Sequence, residues 1–222
     1  MLIDKTFFEG LLLIPNLSEP EPNGRTESDL ADMIDVCEEE VLSFAFGIEM
    51  WEDFKANHLT NPMYQKIING ASYVKNDKKC YWKGLIQTEP IKRSLLADYV
   101  YSQWHSRNVT KTTELGEKAM DTKIGERASS TPKIVNAWNS FIEQLQGGRF
   151  LYGANGYTTE GNPYWVVENR LGTGYGISYY GGNIRNGNVS LLEYLMDNKE
   201  DYPLFDDERR AFGYEYKNSF GI

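Results

Sequence analysis

Two cysteines and two histidines are the residues of this chain best suited to nucleophilic or metal chemistry, and their spacing argues against both. A cysteine nucleophile needs an orienting histidine. Cys37 falls on an apolar helical stripe and reads as a buried structural thiol, and Cys80 lies in an aromatic, strand-like stretch. His58 and His105 are far apart, and no Cys or His cluster has the spacing of a metal site. Gly172-Thr-Gly-Tyr-Gly176 superficially resembles a phosphate-cradling loop. Such a loop must run from a strand into a helix, so that backbone N–H groups face the phosphate. Here the strand-like Ile177-Ser-Tyr-Tyr180 follows instead. Asp206-Asp207-Glu208 has the charge to hold a cation but reads as an exposed acidic tail. Asn108-Val-Thr110 and Asn188-Val-Ser190 match glycosylation acceptors, a pattern common by chance. Paired carboxylates of the glycosidase kind cannot be located by spacing, because their separation is three-dimensional. The expectation is a chain with no enzymatic activity, no cofactor and no metal.

The remaining chemical signal is aromatic. Nine glycines between Gly153 and Gly187 are interleaved with Tyr157, Tyr164, Trp165, Tyr175, Tyr179 and Tyr180, and Phe205, Phe212, Tyr214, Tyr216 and Phe220 lie beyond. Glycine and asparagine at this density oppose helix, and the aromatics oppose a purely solvated linker. Aromatic rings beside amide side chains suit sugar recognition as well as protein interfaces. Trp165, Tyr179, Tyr180, Phe205 and Phe212 are the candidate interface anchors, since large rings recover the entropy of ordering only when buried. The expectation is that residues 153–222 are mobile in a free monomer and ordered against neighbours; the alternative is a β-subdomain that folds alone.

Hydrophobic periodicity supplies the elements that would carry these groups. Leu30, Ile34, Cys37, Val41 and Phe44 form one stripe of a helix over about 28–46, which Gly47 ends. Met50, Trp51 and Phe54 mark a second helix, about 49–57, and residues 62–68 a short third turn. Residues 71–85 change period and read as a β-hairpin around Asn76-Asp77-Lys78-Lys79, with helix as the alternative. Helix returns over about 89–106, with Pro90 in the first turn and Ile91, Leu95, Leu96, Tyr99, Val100 and Trp104 as apolar positions. The Thr-rich stretch within 107–129 is long for a loop in a compact domain, which points to a function or to ordering by a partner. A further long helix spans about 131–151 on Ile134, Val135, Trp138, Ile142 and Leu145, and a short one about 190–198. Before the first helix, Leu11-Leu12-Leu13-Ile14 reads as a short strand or an apolar plug, and Pro15, Pro20 and Pro22 stop regular structure. The fold class is mainly α: a helical-bundle core with a small β-hairpin, plus a Gly/Tyr-rich extended or β C-terminal arm. Three parts are expected, with residues 1–25 as an extended arm, 26–152 as the helical core and 153–222 as the arm or small β-subdomain.

Charge is segregated. The 222 residues carry a net −9, distributed as −10 over residues 1–50, +5 over 51–149 and −4 over 150–222. That pattern favours complementary association over nucleic-acid binding, which calls for a dominant basic face; chance clustering on solvated faces is the plainer alternative. No apolar run approaches the roughly 18–20 residues that span a bilayer. The opening Met1-Leu2-Ile3-Asp4 has no basic stretch before an apolar one, so no secretory signal is expected. Two cysteines make no disulfide framework, which suits a reducing compartment.

The order of features in residues 26–151 resembles a known family. An acidic amphipathic helix ends in Val41-Leu-Ser-Phe-Ala-Phe-Gly47, and Met50-Trp51-Glu-Asp-Phe54 follows. Tyr81-Trp-Lys-Gly-Leu85 then leads into Leu95-Leu-Ala-Asp-Tyr-Val-Tyr101, a Thr-rich stretch with Glu114-Leu-Gly-Glu117, and the last long helix. This is similar to the head–tail connector (adaptor) proteins of tailed bacteriophages, which dock under the portal. The Gly/Tyr-rich region departs from the small connectors and resembles an added arm of larger gut phages. The resemblance implies a virion structural protein forming a ring, about twelvefold, in the neck between portal and tail. Its partners would be further copies of itself, the portal protein and other neck or tail proteins. Viral DNA would pass through the lumen without sequence-specific binding. The chain would reside in the virion neck and, during assembly, in the host cytoplasm, with no membrane contact. Lys92, Arg93 or Lys123 of a neighbour could face the acidic first helix. The competing readings are a carbohydrate-binding or baseplate-type module built on the C-terminal aromatics, and a small hydrolase with a helical core.

Overall fold

The computed structural model describes residues 1–14, 17, 25–75, 77–107, 110–113, 116–119, 131–146, 188–207 and 217. Among these the chain is mainly helical, with six α-helices and a small three-stranded sheet. The first three helices are α1 (Arg25–Phe46), α2 (Ile48–Asn57) and α3 (Pro62–Asn69). The periodic stripe of α1 is its buried face: Leu30, Ile34, Cys37 and Val41 are all buried. Met50, Trp51 and Phe54 do the same for α2. Asn61 caps α3 by accepting from the Met63 N–H, and Pro62 takes the first helical position, where its missing N–H costs nothing.

The expected hairpin forms as β1 (Ala71–Lys75) and β2 (Lys78–Trp82), antiparallel, with Tyr73 opposite Cys80. Its base is held by a close approach of two backbones. Gly70 and Gly84 both have φ near +90°, and a Cβ on Gly84 would lie 2.6 Å from the Ile68 carbonyl oxygen. That proximity lets Leu85 and Ile86 donate to the carbonyls of Ile67 and Ile68 at 3.0 and 2.9 Å. Trp82 completes the junction, its indole Nε1 donating to the Ile67 carbonyl at 2.8 Å.

Helix α4 (Leu95–Arg107) is the central element. It is buried nearly all round, through Leu95, Leu96, Ala97, Tyr99, Val100, Tyr101, Ser102 and Trp104. Helices α1 and α5 (Thr131–Gln146) pack against it. It begins six residues later than the periodicity predicts. Gln87 and Arg93 pair their backbones at 2.9 and 2.8 Å, Ser94 Oγ accepts from the Leu96 N–H as the cap, and Ile91 is exposed in the loop instead of lying on a helical stripe. Between α4 and α5, the Thr-rich stretch holds a second antiparallel hairpin, β3 (Thr110–Thr113) and β4 (Gly116–Ala119).

Both flanks differ from expectation. The opening segment is not an arm: Ile3, Phe7, Phe8, Ile14 and Leu17 belong to the core. Asp4 caps a 3-10 turn over Lys5–Phe8, a second covers Gly10–Leu12, and buried Glu38 of α1 accepts from the N–H groups of Leu2 and Ile3 at 2.7 and 3.0 Å. Apolar residues at three- to four-residue steps outweigh the prolines here. At the other end, residues 188–207 also join the core. β5 (Asn188–Val189) adds to the sheet parallel to β2, in the order β1-β2-β5. Ser190 and Glu193 then form a reciprocal capping box for α6 (Leu191–Asp197), the helix expected over about 190–198. Tyr73 donates to the fully buried Asp197 carboxylate at 2.6 Å, Lys75 pairs with its other oxygen, and Tyr202 donates to the Met63 carbonyl at 3.0 Å. The expected core of 26–152 thus takes in sequence from both sides, and the Asn139 side chain on α5 clasps the Lys217 backbone, Oδ1 accepting from its N–H at 2.8 Å and Nδ2 donating to its carbonyl at 2.9 Å.

Candidate functional site

A cleft of about 260 Å³ lies where the N-terminal segment, the β2–α4 loop, α5 and β5 meet. Its floor is Asp98, in the first turn of α4. Asp98 Oδ2 accepts two hydrogen bonds from α5, from Ser140 Oγ at 2.7 Å and Gln144 Nε2 at 2.8 Å. Ser140 and Gln144 are one helical turn apart and bonded to each other at 3.0 Å, so α5 presents them as a unit. Oδ1 has no partner among the described residues. Burial pushes the Asp98 carboxyl up to about 6, against the bonds from Ser140 and Gln144 and the weaker pull of Arg93. Asp98 is enclosed but not sealed, keeping part of its surface at the cleft. Phe7, Leu12, Trp82 and Val189 give the walls an apolar part, while Lys83, Arg93 and Glu143 supply charge. Lys92 also lines the cleft but is committed within the chain, bonding Thr6 Oγ1 at 2.5 Å and lying 5.4 Å over the Phe7 ring.

The residues singled out by sequence are not gathered here. Phe205 is 5% exposed and spends its ring on the chain's own core, so it has little surface to offer a neighbour. Trp165, Tyr179, Tyr180 and Phe212 lie outside the described residues. Cys37 is buried on α1, and burial raises its thiol to about 11, which leaves it protonated. His58 stacks on Phe54 at 5.4 Å, and His105 packs on Tyr101 at 4.3 Å. Asp206 donates its N–H to the Phe46 carbonyl, and Asp207 pairs with Lys199. Asn188-Val-Ser190 forms β5 and the α6 cap. The glycine-rich 172–176 lies outside the described residues.

Spacing does not show the cleft because its members come from four distant stretches. One local signal was present: Asp98 is the only charged residue in the otherwise apolar run Leu95–Tyr101, and a lone acid in a buried run needs partners. Among the described residues, no group of three or more His, Cys, Asp or Glu could hold a metal ion, and no helix is long and apolar enough to cross a membrane. Comparison with family models, curated proteins and solved structures finds no match to this chain.

Proposed function

We propose that this chain is a virion structural protein that assembles into a ring in the neck of a tailed phage, between portal and tail, with DNA passing through the lumen and no reaction catalysed. The observation that carries the assembly reading is the outer face of α1. Asp29, Asp32, Asp35, Glu39 and Glu40 are all exposed there, and of the exposed acids of α1 only Glu27 forms an ion pair among the described residues, with Lys5. A helix face of one sign over several turns is a poor partner for itself and a good one for a basic surface. The middle of the chain, at +5, supplies that surface. A face that complements a different face of the same chain gives a heterologous contact, which closes into a ring when the rotation permits. Lys92 is taken up inside its own chain and Lys123 lies outside the described residues, so exposed Lys79, Lys83 and Arg93 are among the described counterparts. The neck position rests on element order: acidic α1, aromatic α2, then α4 and α5 joined through the polar Thr hairpin.

Light scattering after gel filtration, with negative-stain microscopy, tests this at low salt. Rings or ring fragments are expected. The triple variant Asp32→Lys, Asp35→Lys, Glu39→Lys should give monomer with an unchanged melting temperature, because these side chains are solvated in the monomer. A wild-type chain that stays monomeric with and without portal protein, or one that is monomeric and binds glycans, contradicts the proposal.

A further inference from the structure

Of the cleft above Asp98, the assembly reading uses only the exposed Lys83 and Arg93 and leaves the floor unused. Its floor is a carboxylate in which one oxygen is fully engaged and the other is not. Ser140 and Gln144 both donate to Oδ2, so the side chain is clamped in one orientation. Oδ1 has no donor among the described residues and faces the cleft, where solvent reaches it. A charged donor that displaces solvent from such an acceptor forms a charge-assisted hydrogen bond, about twice as strong as a neutral one. Arg93 lines the cleft but forms no ion pair with Asp98. Lys92 is held by Thr6 and the Phe7 ring.

We propose that this cleft binds a small organic cation, a guanidinium or primary ammonium head on a short aliphatic stem, with Asp98 Oδ1 as its anchor. The head would meet Asp98 on the floor, with Glu143 of α5 as a second carboxylate lining the cleft. The stem would run along Leu12 and Val189, which supply the apolar wall such a chain needs. Cleft volume sets the size: about 260 Å³ lies below the roughly 300 Å³ at which drug-sized pockets begin, so the occupant is an amine of few atoms or a single basic side chain. An anion is the poorer fit, because it would have to sit over the one buried carboxylate. Asp98 must be ionised to hold the cation. The charges around it, Arg93 and Lys92 before α4, Lys83 after β2, Glu143 on α5 and Glu9 on the N-terminal segment, come from every side of the cleft.

Titration calorimetry and chemical-shift mapping on the full chain test this, with agmatine as the free-amine probe and acetyl-Gly-Arg-Gly-amide as the side-chain probe. Agmatine should bind at pH 7.5 with a Kd on the order of 1 mM. Affinity should fall about tenfold by pH 5, as Asp98 takes up a proton. Asp98→Asn should abolish binding while melting no lower than wild type. Tighter binding of agmatine assigns the site to a free amine, and tighter binding of the peptide assigns it to an arginine of a protein partner; both support a cation site. The wild-type measurement at two pH values stands even if the variant fails to fold. No binding of either probe at 20 mM, equal binding at both pH values, equal binding by Asp98→Asn, or saturable binding of inorganic phosphate in their place overturns the proposal.

Discussion

Replacing Asp98 by Asn should make the protein more stable at neutral pH, against the usual direction for a buried hydrogen-bonded residue. The folded-state value of about 6 lies above the ordinary 3.8, so the native state holds the Asp98 proton more tightly than the unfolded chain does. The contribution of this group is therefore fully present below about pH 3.8 and is lost as pH rises through 6. At 1.36 kcal/mol per pH unit, keeping the carboxylate ionised above pH 7 costs about 3 kcal/mol. Because the cleft is open to water, the working expectation is about 1–3 kcal/mol. Asparagine removes the charge and keeps the shape, and its side-chain oxygen can still accept from Ser140 and Gln144. Urea melts at pH 8 and pH 4 give the assay. Asp98→Asn should gain about 1–3 kcal/mol at pH 8, several degrees in Tm for a chain this size, and nearly nothing at pH 4. Asp98→Ala also strips the Ser140 hydroxyl and Gln144 amide of their acceptor, so it should lose about 1–3 kcal/mol at pH 4, where Asp98 is neutral, and much less at pH 8, where removing the charge offsets that loss. A gain independent of pH, or an Asn variant less stable than wild type at pH 8, would refute the account of the buried charge.

Truncating Leu96, wholly buried on α4, to Ala should cost about 2–5 kcal/mol, read by denaturant melts; an unchanged midpoint would mean the α4 face is misassigned. Gly84→Ala should destabilise by roughly 2–4 kcal/mol, because the new Cβ meets backbone atoms at 2.6 and 2.7 Å and φ is +93°; a cost below about 0.5 would show that the β-hairpin base can open. Asp197→Ala should cost about 1–3 kcal/mol by taking the acceptor from the Tyr73 hydroxyl, and amide exchange should speed up in β1 before it does in α1. The Glu193 carboxyl, raised to about 7 by burial, should make Glu193→Gln more favourable at pH 8 than at pH 5, the same sense as Asp98.

Legibility in the sequence followed the locality of the cause. α1, α2 and α5 bury one periodic stripe each, and periodicity along the chain found them. The β1–β2 hairpin was visible because its turn, Asn76-Asp77, sits between two apolar clusters. α4 was found with the wrong start: Pro90 suits a helix, but the Gln87–Arg93 backbone pairing and the Ser94 cap are decided by the surrounding core. β5 was invisible because two residues carry no period, and their pairing with Tyr81 and Trp82 spans more than a hundred residues. In the N-terminal segment the prolines from Pro15 on signal irregular chain locally, while the burial of Phe7 and Phe8 depends on α1 and α4, far along the sequence. Phe205 shows the same limit: an aromatic residue in a polar tail reads as an interface until a core is seen to enclose it. Asp98 was overlooked because it was read as one letter of a helix, while its partners lie more than forty residues away on α5.

The return of the chain at Asn188 changes what the glycine- and tyrosine-rich stretch is. α5 leaves the core at Gln146 and β5 re-enters it, so the intervening residues, about 40, are tethered at both ends and are not a free tail. For a flexible connection between two fixed anchors, closure entropy grows only with the logarithm of length, so a fourfold change in length is worth roughly 1.2 kcal/mol. A body that grips the insert also pulls on two anchors at once. Tension reaches α5 through its C-terminal turn and the sheet through β5, so load is divided between two parts of the core instead of peeling one strand.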